Sequence, residues 1–250
     1  ALTLGKMMKL LLIAGMGESV ALARELSVIE GHEVICVTEG RAVARAEPPA
    51  KIYDGTFEID ADFARYIAEE RFDMVVDAAH PFEARLGTIA RGLKLPYLRV
   101  IREEWTPKQN EDWISVTSLK EAVAALPKRA RVFLVTGRGS VHAFQDRADV
   151  YVMCRQLEQH DRAFPLENGE YIFGEGPFSV TAEMQTLQSL KVDCLILRNS
   201  GSVQGRSKVD AAGNLGIKVI MIQKTDMGLP HSQTATFKDV AKRVADYADY

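Results

Sequence analysis

The residues best placed to handle a ligand lie at sharp turns that follow short apolar runs. Gly15-Met16-Gly17-Glu18-Ser19 comes directly after the run at 10–14 and opens a helical stretch. Backbone N–H groups and the positive end of a helix dipole would there face an anion such as a pyrophosphate. The third glycine of a G-x-G-x-x-G fingerprint is Val20 here, so a tight turn with no ligand stays open as the alternative. At the end of the second apolar run come Thr38-Glu39-Gly40-Arg41. Glu39 alone points to NAD, whereas Arg41, with Arg45 behind it, can offer a planar guanidinium to the 2′-phosphate of NADP, which we favour. Solvated loop arginines are the alternative. Asp77-Ala78-Ala79-His80-Pro81-Phe82 ends a further apolar strand at the rim where open α/β sheets bind ligands, and His80 could donate to a phosphate or ribose or simply cap the next helix.

The second half repeats the pattern with more cationic groups. Thr136-Gly137-Arg138-Gly139-Ser140 is a glycine-rich turn after an apolar strand, suited to an anion or merely exposed. Gly174-Glu175-Gly176-Pro177-Phe178-Ser179 precedes a helix that Ser179 can cap. Arg198-Asn199-Ser200-Gly201-Ser202, followed by Arg206 and Lys208, is a polar, cationic loop suited to a polycarboxylate, or a solvated surface. H-E-x-x-H, G-x-S-x-G and G-x-x-x-x-G-K-S/T are absent, which removes the usual sequence warrant for a zinc peptidase, a serine hydrolase or a P-loop ATPase.

Alternating strands and helices must hold these turns. The pattern predicts strands at 10–14, 34–37, 52–57 (weaker), 74–77 and 97–100, with helices at 18–30, 61–70 and from Pro81 to about residue 91. A polar segment at 102–112 reads as a linker. Beyond it come helices at 118–126, 141–145, 179–190, 205–215 and 237–250, strands at 132–135, 150–153, 194–197 and 219–222, and a long polar loop at 156–176. The expected fold is α/β, with two Rossmann-like domains of mainly parallel strands at 7–105 and 113–250. A faint repeat, strand 74–77 to strand 97–98 echoed by strand 194–197 to strand 219–221, agrees with two similar units.

Composition narrows the classes further. Thirty-one basic and 34 acidic residues leave a net charge of −3, too balanced for a protein that grips a nucleic-acid backbone. Residues 1–105 carry 13 basic and 17 acidic groups and the remainder 18 and 17, so the second half is the better host for an anion. The longest apolar run is far short of the roughly 20 residues a membrane helix needs. Cys36, Cys154 and Cys194 lack metal or disulfide spacing and read as buried thiols of a cytoplasmic protein with no metal site. Residues 1–6, ahead of Met7 and Met8, read as a start-site remnant and are left out of the fold reading.

The order of the motifs carries more than any one of them. A-G-M-G-E-S, D-A-A-H-P-F, Y-L-R-V-I-R-E-E-W, V-T-G-R, G-P-F-S-V-T-A-E, R-N-S-G-S-V-Q-G-R-S-K-V-D-A-A and L-G-I-K-V-I-M-I together resemble the precorrin-6A reductase family of the cobalamin pathway, over about residues 9–223. That family usually reads G-G-T-x-E-A, D-A-T-H-P-F and K-N-S-G-G-x-G-x-x-A-K-L. Here the leading Gly and the Thr of the first motif are lacking, and Ala79, Arg198, Ser202 and Ser207 replace the usual residues.

The resemblance implies two Rossmann-like domains around a cleft and NADPH-dependent reduction of one double bond of precorrin-6A to give precorrin-6B. It implies a coenzyme on Gly15, Met16, Gly17, Glu18, Ser19, Thr38, Arg41, His80, Pro81 and Phe82. A tetrapyrrole would lie on Thr136, Gly137, Arg138, Gly176, Pro177, Phe178, Asn199, Ser200, Gly201, Arg206 and Lys208. Lys208 or His80 is the candidate proton donor, and a monomer or weak homo-oligomer is expected. A tetrapyrrole- or nucleotide-binding protein without redox chemistry and an S-adenosylmethionine methyltransferase are the alternatives.

Overall fold

Apolar runs too short for helices form strands covered on both faces, as parallel sheets require. The computed structural model describes residues 6–38, 49–53 and 55–248. Its first half holds β1 (Lys9–Ala14), α1 (Ser19–Arg24) continuing through a π-helical turn Glu25–Ile29, β2 (Glu33–Thr38), β3 (Lys51–Ile52), α2 (Asp60–Glu70), β4 (Met74–Ala78), α3 (Arg85–Gly92) and β5 (Tyr97–Ile101). Then come β6 (Trp113–Val116), α4 (Leu119–Ala124), β7 (Arg131–Leu134), a 3-10 turn Arg138–Phe144, β8 (Tyr151–Gln156) and β9 (Gly169–Phe173). The chain continues with α5 (Val180–Ser189), β10 (Cys194–Arg198), α6 (Arg206–Leu215), β11 (Lys218–Ile222), β12 (Thr234–Thr236) and α7 (Val240–Ala248).

The strands form two six-stranded sheets, ordered β12-β5-β4-β1-β2-β3 and β6-β11-β10-β7-β8-β9. Every pairing is parallel. The first sheet has the 3-2-1-4-5-6 strand order of a Rossmann fold, and the second matches it with β6 in the sixth place. The switch points lie between β1 and β4 and between β7 and β10. The α/β expectation holds, and the faint repeat corresponds to β4-α3-β5 and β10-α6-β11, which occupy the same places in the two sheets.

Side-chain alternation explains the layers. In the first sheet Leu10, Leu12, Met74, Val76 and Leu98 face one way, onto Leu22 and Leu26 after β1 and onto Val240 and Val244 of α7. Leu11, Ile13 and Val75 face the other way, onto Phe63 and Ile67 of α2 and Leu86 and Ala90 of α3. In the second sheet Phe133, Leu195 and Leu197 pack on Leu187 of α5 and Val209 and Ala212 of α6. Each such Leu, Ile, Val, Met or Phe side chain contributes about 1.5–3 kcal/mol through burial, which fixes the strands whose carboxyl ends carry the candidate turns.

The unit boundaries differ from the expected 7–105 and 113–250. One compact unit comprises residues 1–102 with 226–250, the other 103–225. The chain returns because β12 pairs with β5, and α7 buries Val240, Ala241 and Val244 in the first unit's core. The expected linker splits accordingly: Arg102 stays with the first unit, and the extended stretch from Glu103 onward belongs to the second. Pro81 does not open a helix, since residues 81–84 form a turn and α3 begins at Arg85. The strand expected at 52–57 is only Lys51–Ile52, the helix expected at 141–145 is the 3-10 turn, and the long loop contains β9.

Candidate active site

At the first switch point the turns after β1 and β4 touch. A Cβ at Gly15 would come within 2.8 Å of the His80 backbone nitrogen and 3.1 Å of the Ala79 Cα, so glycine is what permits this approach. At Gly17 a Cβ would meet nothing within 4 Å, and the turn is open on that side. The N–H groups of Gly17 and Glu18 have no hydrogen-bond partner among the described residues. The Glu18 carboxylate is paired with Arg102, whose guanidinium also lies 5.8 Å from the Phe237 ring of the returning C-terminal segment.

Not all expected coenzyme residues face a ligand. Met16 is buried in the core. Ser19 is buried too: its N–H donates to the Met16 carbonyl (3.0 Å), while its hydroxyl accepts from the Met16 N–H (3.4 Å) and donates to the Ala78 carbonyl (3.4 Å). Ser19 therefore braces the turn, and its donors are used up. Thr38 ends β2 opposite Ala14, beside the turn. Arg41, with Glu39 and Arg45, lies outside the described residues. His80, Pro81 and Phe82 are half-buried, and the His80 Nδ1 accepts from the Phe82 N–H (3.3 Å) within the turn; it does not cap α3, whose N-cap is Ala84.

Beneath the 79–83 turn lies a charge network that the motif reading missed. Asp77, fully buried, pairs with Arg99 (Nη1 to Oδ1, 2.7 Å) and accepts from the Tyr97 hydroxyl (2.5 Å) and the Ala79 N–H (3.1 Å). Arg99 Nη2 reaches the carbonyls of Ala79 (3.3 Å), His80 (3.1 Å) and Glu83 (3.4 Å). Burial, followed by the Asp77 charge, holds the Tyr97 phenol protonated well beyond the usual range. The visible signal was a charge interrupting an otherwise apolar strand, in M-V-V-D and again in Y-L-R-V.

In the second unit several expected substrate residues are structural. Asn199, 1% exposed, accepts from the Trp105 N–H (2.9 Å) and donates to the Trp105 carbonyl (3.0 Å) and the Gln223 Oε1 (3.0 Å), so its amide is committed to holding the chain at 105. Arg206 is likewise occupied by Glu111 (2.5 Å), Asp210 (3.0 Å) and the Thr106 carbonyl (3.1 Å). The loop between them is shaped by its own atoms: Ser200 and Ser202 hydroxyls bond each other (3.3 Å), Ser202 accepts from the Gly205 N–H (2.9 Å), and Gly201 takes φ +66°.

Other residues stay available. Arg138, half-buried at the start of the 3-10 turn, has no ion pair among the described residues. Gly137 precedes it at φ +88°, and the buried Thr136 hydroxyl lacks a partner there. Gly176 and Pro177 are exposed, while the Phe178 ring lies 4.2 Å from the guanidinium of Arg155. Lys208 makes a 3.4 Å bond to the Gly205 carbonyl, and burial lowers its ammonium pKa, with Glu183 opposing and Arg155 reinforcing that shift. Lys208 thus interacts electrostatically with two groups not anticipated, Arg155 and Glu183.

Two Rossmann-like halves with glycine-bearing turns at both switch points define an α/β enzyme of the nucleotide-dependent class. The precorrin-6x reductase (CbiJ/CobK) family matches residues 9–246. A precorrin-6A reductase of Rhodococcus erythropolis is 34% identical over 246 residues, covering 96% of this chain and 97% of that protein. One from Mycobacterium tuberculosis is 34% identical over 224 residues, covering 87% and 89%. A solved CobK precorrin-6A reductase superposes with a TM-score of 0.84 at 28% identity, covering 96% and 97%. The chain belongs to the precorrin-6x reductase family and is an oxidoreductase of cobalamin biosynthesis that takes a reduced nicotinamide cofactor. No helix among the described residues is long and apolar enough to cross a membrane.

Proposed function

We propose that the protein reduces one double bond of precorrin-6A to give precorrin-6B, with NADPH held by the first unit and the tetrapyrrole by the second. When bound, the reduced nicotinamide supplies a hydride equivalent to one carbon of the double bond, and a proton completes the neighbouring carbon. The observation that carries the coenzyme assignment is the 15–18 turn: it is locked to residues 79–80, open at Gly17, and presents two unpartnered N–H groups at the first switch point. Arg99 fixes the carbonyl side of the adjoining 79–83 turn, so both walls of this cradle are set before a ligand arrives. Arg41, which follows the second strand in sequence, supports NADPH over NADH by the chemistry of a guanidinium toward a 2′-phosphate. In the second unit Arg138 and Lys208 are cations suited to the peripheral carboxylates of a tetrapyrrole, whereas Asn199 and Arg206 shape the loop between them. His80 and Lys208 are the candidate proton donors, and burial lowers the Lys208 ammonium pKa, which eases proton transfer from it. A cytoplasmic setting suits the three buried thiols, which stay reduced there.

Thermal unfolding with each coenzyme tests the assignment. NADPH at about 100 times its Kd should add about 2.7 kcal/mol of stability, with NADH at the same concentration adding far less. Equal protection by both would overturn the choice of NADPH. Anaerobic absorbance of the enzyme with macrocycle and NADPH tests the reaction itself, and coenzyme binding without macrocycle reduction would refute it.

A further inference from the structure

The turn at 15–18 carries an acid where an anion is to bind. Glu18 is the N-cap of α1, yet its side chain makes no capping hydrogen bond, so the helix end does not account for it. Its carboxylate, on a side chain 40% exposed, pairs instead with Arg102, whose side chain is 9% exposed and lies 84 positions along the chain. Arg102 directly follows β5, and in the sheet order β4 stands between β5 and β1. With neighbouring strands about 4.8 Å apart, the pair must reach across the carboxyl end of β4, along the rim of the first switch point. The Phe237 ring, 5.8 Å from the guanidinium, adds a cation–π contact that keeps the cation there. An ion pair with one partner this exposed adds little stability. Its position gives it another use. A bare Glu18 carboxylate would repel any diphosphate drawn to the unpartnered N–H groups of Gly17 and Glu18 itself.

We propose that Arg102 is a positioning residue for the coenzyme that acts through Glu18. It cancels the charge of the carboxylate and holds that group at the rim, so that the two N–H groups meet the diphosphate without a competing anion. Arg102 bonds no phosphate in this arrangement. The inference rests on the functional reading for its ligand, the diphosphate of NADPH, and adds to the turn a residue that no local motif joins to it.

A set of charge variants titrated with NADPH at low ionic strength tests the role. Arg102→Gln leaves a surplus negative charge beside the diphosphate and should bind NADPH about 10-fold or more weakly than the wild type. Glu18→Gln leaves a surplus positive charge and should bind about 3-fold or more tightly. The double variant restores neutrality and should match the wild type within about 2-fold. Both single-variant differences should shrink in about 1 M salt, where the screening length falls to about 3 Å. A bridge that only braced the fold would behave otherwise, because both single variants break the same contact and both would then weaken binding. That result would overturn the proposal, as would a double variant as weak as Arg102→Gln, the signature of a direct phosphate ligand. If Arg102→Gln fails to fold, Glu18→Gln alone decides: tighter binding supports the role, and unchanged or weaker binding overturns it. Turnover of precorrin-6A by the wild type is read separately. Turnover and wild-type NADPH binding with unchanged affinity in every variant sink the inference alone, whereas the expected order of affinities without turnover sinks the functional reading alone. A wild type that does not bind NADPH sinks both.

Discussion

Replacing Arg99 by Met strips the charge from a pair in which Asp77 is 0% exposed and Arg99 3%. The substitution preserves much of the apolar stem and removes the 2.7 Å contact to Asp77 together with the donors to the carbonyls of residues 79, 80 and 83. Leaving a buried carboxylate without its cation costs about 3–5 kcal/mol. The Tyr97 hydroxyl and Ala79 N–H still reach Asp77, which favours the lower half of that range. Urea unfolding followed by far-ultraviolet circular dichroism measures the loss, and Tyr97→Phe provides a scale: it deletes one hydrogen bond to a charged group, worth about 1.5–3 kcal/mol. Asp77 and Arg99 should also couple by at least about 2 kcal/mol in a double-mutant cycle. A loss below about 1 kcal/mol for Arg99→Met would refute the idea that this pair holds the rim of the first sheet.

The same geometry sets three further outcomes. Gly15→Ala should cost about 1–3 kcal/mol because its Cβ meets backbone at 2.8 Å, whereas Gly17→Ala should stay within about 0.5 kcal/mol and weaken NADPH; thermal melts and coenzyme titration separate the two. Arg206→Met should destabilise the second unit by about 3–5 kcal/mol, since it leaves the buried Glu111 carboxylate unpaired; loss of macrocycle affinity at full stability would return Arg206 to the ligand. His32, whose Nδ1 accepts from the Met8 N–H, has its pKa lowered by burial, with Glu30 partly opposing. It is neutral in both folded and unfolded chains at high pH, and below about pH 6.5 the unfolded chain takes up the proton first. Stability should therefore fall as pH drops below that value, and His32→Asn, which keeps an acceptor, should flatten the fall between about pH 7 and 5.5.

The sheets were legible in the sequence because burial on both faces writes continuous apolar runs such as L-L-L-I-A and C-L-I-L. Edge strands escaped for the converse reason. Thr234–Thr236 and Gly169–Phe173 are half-solvated, short or polar, and no local period sets them apart from loop. Nor can local pattern reveal which sheet an edge strand joins, so the return of residues 226–250 to the first unit was hidden. Turn chemistry placed Gly15, His80 and Arg138 just beyond strand ends, whereas Lys208 lies on the first turn of α6. Whether a polar side chain at such an end faces inward or outward depends on partners far along the chain. Trp105 engages Asn199 across 94 positions and Glu111 engages Arg206 across 95, and neither is visible from the R-N-S-G-S motif.

The two units offer a built-in control on what the Asp77 pair is for. β4 and β5 place Asp77 opposite Arg99, and the corresponding strands β10 and β11 place Leu197 opposite Met221. The same position in the same topology is therefore satisfied by an apolar pair, which avoids the desolvation of two charges. If the ion pair served the fold alone, the first unit could use the second unit's solution. Its difference lies in the three carbonyls that Arg99 Nη2 holds, for which a methionine has no donor. Asp77→Leu with Arg99→Met should accordingly recover only part of the stability lost in Arg99→Met, because the buried Tyr97 hydroxyl and Ala79 N–H lose their acceptor at about 1–3 kcal/mol each. It should still bind NADPH more weakly, because the 79–83 turn against which Gly15 packs has lost its tether. Full recovery of both stability and NADPH affinity in the double variant would mean that the pair is a replaceable core contact.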